Sequence, residues 1–184
     1  MAATATPTTD RADATPTPRT RGRFSEHDLG LLAIRVIAGV VFIAHGGQKL
    51  FGWFNGNGLT GTAQFFESAG YSPGKPLAFL AGLAELGGGA LLIVGLGTSF
   101  AGAALIATMA GATAVKADAG KNAFFAMNSG YEYELLLTVL ALGITLVGAG
   151  RLSIDHGRPW DRGVVRYALA AGGIVVGIIT VLVR

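Results

Sequence analysis

The stretch IAHGGQKLFGWFNGNG, Ile43 to Gly58, sets His45, Gln48 and Lys49 at the end of a long apolar run. A histidine exchanges protons near neutral pH, a glutamine both donates and accepts hydrogen bonds, and a lysine supplies a positive charge. Three further polar residues, Glu85, Lys116 and Glu134, also stand in or at the ends of apolar runs. Brought together, these six would make an intramembrane polar site able to hold a polar headgroup and pass protons. Arg35 and Asp155 form a second candidate set, a structural ion pair between the first apolar run and a later loop. No pattern of metal ligands is visible.

Five apolar segments must position these residues: Leu29–Leu50, Leu77–Leu96, Thr98–Ala117, Tyr133–Gly150 and Val164–Val183. Each is close to the ~20 residues that cross a bilayer as a helix, and a helix satisfies its backbone polar groups internally. The fold class is therefore all-α and integral to a membrane. Alternating direction brings the ends of the first and third segments to the same face as the starts of the second and fourth. His45, Gln48, Lys49, Lys116, Glu132 and Glu134 then share that face, and Glu85 lies roughly 12 Å below it at 1.5 Å per residue. In the first segment Arg35, Ala38, Phe42, His45 and Lys49 follow a 3-4-3-4 rhythm, one stripe on a helix. Glu134, Thr138, Ala141, Thr145 and Gly148 repeat it in the fourth. Polar and small stripes turn toward other helices, because lipid offers a polar atom no partner. An unpaired charge at mid-membrane costs about 3 kcal/mol on insertion scales, so Glu85 must be paired, hydrogen-bonded or protonated.

Composition agrees. Of 184 residues 51% are hydrophobic and only 14% charged, against roughly a quarter in soluble domains. A net charge of +3 is too small to imply nucleic acid. Without cysteine the chain has no disulfide, thiol nucleophile, iron–sulfur ligand or covalent haem attachment. Residues 1–27, rich in Thr, Pro and Arg, read as a disordered tail, and IAHGGQ offers no signal-peptide cleavage site. The loop 51–76 carries TAQFFESAG, a short helix stopped by Gly70 and expected to lie along the membrane surface among Phe51, Trp53, Phe54 and Tyr71. Lysine and arginine counts of eight against five favour a cytoplasmic N-terminus and an extracytoplasmic C-terminus.

The motifs AHGGQKLFGWF, AELGGGALLIVGL, YEYELLLTVLAL and GAGRLSID, in that order, resemble the successive signatures of the DoxX family of small bacterial membrane proteins. The resemblance spans about residues 29–156 and implies a four-helix transmembrane bundle over 28–156, in the bacterial plasma membrane. It places Lys49, Glu85, Glu134 and Asp155 at the recurrent polar positions. Family members resemble the membrane subunit of thiosulfate:quinone oxidoreductase, and some are linked to membrane oxidoreductase assemblies. The chain departs from the family in its tail and in a fifth C-terminal transmembrane helix, 164–183. There GIVVG, a small-xxx-small pattern, suits packing on the bundle or on a second copy in a homo-oligomer.

Three functions fit these residues. One is a quinone-interacting or accessory subunit of a membrane oxidoreductase, in which the polar cluster binds a quinone headgroup and a partner subunit supplies electrons. A second is a noncatalytic anchor or assembly protein, whose cluster holds helices together. The third, a small-solute or proton pathway, lacks the broken helices such pathways use. Whether the chain is itself an enzyme stays open at this point.

Overall fold

A computed structural model describes residues 25–120 and 123–184. The tail expected over 1–27 lies outside them except at its last residues, where the first helix, α1 (Glu26–Phe51), has already begun. Ser25 starts it early. Its hydroxyl accepts the Asp28 N–H at 3.3 Å, and the Asp28 carboxylate accepts the Ser25 N–H at 2.9 Å, so two orphan donors are satisfied reciprocally.

Five more helices follow: α2 (Gly58–Ser68), α3 (Gly74–Val94), α4 (Thr98–Ala119), α5 (Glu132–Val147) and α6 (Gly163–Leu182). Among the described residues all regular structure is helical. α1, α3, α4 and α6 are long and apolar enough to cross a membrane. α5, expected to reach Gly150, stops after 16 residues, about 24 Å at 1.5 Å per residue. Gly148 ends it in a positive-φ conformation (φ 85°, ψ −168°) that only glycine adopts freely, and the chain turns away from the axis. The result is an all-helical membrane bundle to which a C-terminal helix has been added.

The order of packing positions the site. α1 lies along α3, α4 lies between α3 and the pair α5 and α6, and α2 lies across α3 near its start. The α1–α3 seam is backbone on backbone: a Cβ at Gly89 would sit 2.6 Å from the Gly39 carbonyl oxygen. α6 meets α4 in the same manner, since a Cβ at Gly173 would sit 2.6 Å from the Ala103 carbonyl oxygen. The GIVVG pattern is thus used within the chain. Phe42, Leu92, Leu105, Ile106, Leu137 and Ile144 fill the centre of the bundle. Ile37, Val40, Leu83, Leu136, Val139 and Ile178 point outward, as expected of a bundle surrounded by lipid.

Candidate functional site: a polar cavity within the bundle

Close packing of α1 on α3 delivers Lys49 to Glu85. Glu85 is fully buried, and its Oε2 accepts a hydrogen bond from Lys49 Nζ at 2.6 Å. A Cβ at Gly82, one turn from Glu85, would press to 2.7 Å on Leu50 and 3.4 Å on Lys49, so the glycine is what lets the lysine come in. The pair meets the sequence requirement that a carboxylate at this depth find a partner. Only half of the carboxylate is used, however. Oε1 is buried and has no hydrogen-bond partner among the described residues, and the same holds for Glu134 Oε2.

Both carboxylates face one cavity of about 690 Å³. Gln48, Lys49, Glu85, Lys116 and Glu134 line it, so five of the six expected residues meet there. Its remaining wall is mostly apolar, with Phe66, Leu77, Leu80 and Val176 among the lining side chains. α2 and the loop before it form its rim through Asn55, Asn57 and Thr62.

His45 is placed elsewhere. Its Nε2 lies 3.1 Å from the Tyr133 hydroxyl, and it is not part of the cavity lining. The stripe rhythm holds for Arg35, Ala38 and Phe42, which are buried, but at His45 the imidazole turns to the flank of the stripe, where Tyr133 of α5 offers it a partner. Two lining residues, Tyr71 and Thr180, were not among the candidates. Tyr71 reads as one more interfacial aromatic and Thr180 as a helix hydroxyl bonded to its own turn, so no local signal singles out either.

The other end of the bundle holds the second candidate set, and here the structure corrects the expectation. Arg35 and Asp155 make no ion pair with each other. Arg35, 1% exposed, donates to the carbonyl oxygens of Leu92 at 3.0 Å, Leu152 at 2.9 Å and Ile93 at 3.5 Å, and also to that of Ala149. These oxygens belong to the last turn of α3 and to the chain after α5, groups a helix end leaves without partners. Asp155, also 1% exposed, accepts the N–H groups of Gly97 at 3.0 Å and Thr98 at 2.8 Å and the Trp160 indole N–H at 2.8 Å. It thereby caps α4, whose own N-cap residue, Gly97, has no side chain to do so. The physical reason is the tight α3–α4 connector, Gly95 to Gly97, which frees carbonyls on one side and N–H groups on the other. Each charge is satisfied by backbone. For Asp155, burial resists ionisation, but the bonds from Thr98, Trp160 and Gly97 outweigh it and hold the carboxyl below the usual carboxylate range.

Comparison with known proteins points one way. The DoxX family model matches residues 30–117. The chain is 36% identical over 129 residues to a Bacillus subtilis (strain 168) protein named "Putative oxidoreductase CatD", covering 70% of this chain and 86% of that one. It is 33% identical over 131 residues to a Haemophilus influenzae protein named only as uncharacterized, covering 68% of this chain and 88% of that one. No solved structure matches the chain.

Proposed function

The chain belongs to the DoxX family of multi-pass bacterial membrane proteins, and we propose that it is a quinone-interacting subunit of a membrane oxidoreductase system. The observation that carries this reading is the half-used Glu85 carboxylate: paired with Lys49 through one oxygen and presenting the other, unpartnered, in the wall of a cavity.

The cavity fits a quinone headgroup on three counts. Its volume of about 690 Å³ is in the ~300–1,000 Å³ range of small-molecule sites. Its walls are apolar where a ring would rest, and two orphaned carboxylate oxygens, Glu85 Oε1 and Glu134 Oε2, are available to a ligand hydroxyl. A bound quinone supplies two-electron, two-proton chemistry. In this reading Lys49 fixes the Glu85 carboxylate and supplies positive charge, Glu85 Oε1 accepts or returns a proton, and Glu134 offers a second acceptor. Leu77, Leu80 and Val176 hold the ring and keep bulk water away. Electrons come from a partner protein. That a relative carries the name of an oxidoreductase supports the assignment of a redox assembly.

From the lysine and arginine counts we infer a cytoplasmic N-terminus with the rim at Asn57 facing outward, so an impermeant thiol reagent should reach a cysteine placed at Asn57 and miss one at His156. Photolabelling tests the function. An azido-quinone irradiated with the purified protein should crosslink to peptides of the cavity wall in α3 and α4, and excess unlabelled quinol should prevent it. Labels spread over the lipid-facing surfaces and indifferent to excess quinol would leave the chain as a membrane anchor.

A further inference from the structure

Tyr71 follows α2 at Gly70, whose φ of 93° turns the chain back over the bundle. The ring packs against Phe66 with centroids 5.6 Å apart, and its hydroxyl is carried into the cavity wall. That hydroxyl is buried and has no hydrogen-bond partner among the described residues. It lies beside Gly111 of α4, where a Cβ would be 3.4 Å from it and 3.9 Å from Thr180 Oγ1 of α6. Thr180 already donates to the Gly177 carbonyl at 2.8 Å, which leaves its lone pairs as acceptors.

The cavity therefore has two polar walls of different chemistry. On the α1–α3 side stands the charged pair Lys49–Glu85, and against α4 and α6 stand two neutral hydroxyls, those of Tyr71 and Thr180, with Lys116 of α4 also in the lining. Apolar side chains, Leu80 and Val176 among them, line much of the remainder, together with Gln48, Thr62 and Glu134. A phenol hydroxyl left buried without a partner is costly, so a ligand group that completes it gains affinity. A ligand with one polar end can satisfy Glu85 and leaves Tyr71 unmet. One with oxygens on opposite edges of a flat ring can satisfy both walls. α6 belongs to this second wall, and it lies outside residues 30–117 that match the family model.

We propose that Tyr71, with Thr180 beside it, is a second anchor that makes the cavity selective for ring ligands oxygenated on two opposite edges, the para-quinol class. This rests on the quinone reading above. The test uses the purified full chain and two probes that differ by one hydroxyl, trimethylhydroquinone and trimethylphenol, titrated calorimetrically. Wild type should prefer the hydroquinone. Tyr71→Phe keeps the ring on Phe66 and should weaken hydroquinone binding about three- to tenfold, the range for one lost hydrogen bond, with phenol binding unchanged. Gly111→Ala, a change helices favour, places a methyl in van der Waals contact with both hydroxyls and should produce the same selective loss while residue 71 stays tyrosine. Glu85→Gln should weaken both probes. If Tyr71→Phe and Gly111→Ala leave the preference intact while Glu85→Gln weakens both probes, the second anchor is wrong and the quinone reading stands. If neither probe binds wild type, both fall.

Discussion

The two ends of this bundle each bury a carboxylate beside a cation, and they use it in opposite ways. At the connector end Asp155 and Arg35 are each 1% exposed, and each carboxylate oxygen and each guanidinium nitrogen meets a backbone or indole partner. At the cavity end Glu85 is 0% exposed, and one of its two oxygens has no hydrogen-bond partner among the described residues. Saturation of hydrogen bonds separates the roles. A saturated buried charge has spent its capacity on the fold, whereas an unsaturated one has capacity left for a ligand or a proton.

Disruption of the two ends should differ accordingly. The largest effect is expected for Arg35→Leu, which strips donors from carbonyls of α3 and of the chain after α5 and leaves them buried. A loss of about 3–5 kcal/mol follows if the buried groups go unmet, enough to deplete the folded protein from the membrane, measured as folded yield after mild solubilisation. Arg35→Lys should recover little, because one ammonium cannot span sites served by a planar fork. The next effect belongs to Asp155→Asn, which keeps one acceptor but points an amide at N–H donors; about 2 kcal/mol is expected in a reversible unfolding titration. Its pH dependence sharpens the comparison. The Asp155 carboxyl is held below its usual range, so its stabilisation is complete above the unfolded carboxylate value of about pH 4 and is lost as pH falls through the folded value. Asp155→Asn should therefore flatten the acid side of the stability profile. An unchanged acid limb would remove Asp155 from the capping role.

The spans were readable from the sequence because long apolar runs leave a membrane chain few options, and α1, α3, α4 and α6 lie where those runs do. That Glu85 needs a partner was readable for a related reason, since an intramembrane carboxylate must be compensated, but spacing left both Lys49 and Lys116 within reach and did not choose between them. Other features depend on information that spacing does not hold. Arg35 and Asp155 have opposite charges at one depth, yet the Gly95–Gly97 connector gives each of them backbone partners, and that follows only from the left-handed turns there. α5 is cut short by the φ of a single glycine. Tyr71 and Thr180 both come to Gly111 of α4 through chain returns no periodicity records. His45 shows that a stripe locates a residue to within a helix face, while its side chain takes the partner nearest to hand.

The central claim is that the cavity end binds and the connector end holds. Quinol affinity of the folded fractions of Glu85→Gln and Asp155→Asn, measured side by side in the same detergent, tests it most directly. Glu85→Gln retains shape while losing charge and proton exchange, and it should weaken quinol binding by at least about tenfold, the worth of one charge-assisted hydrogen bond, in a protein that still folds. Asp155→Asn should bind quinol as wild type does once folded. Wild-type affinity in Glu85→Gln, or an equal loss in both variants, would contradict the account.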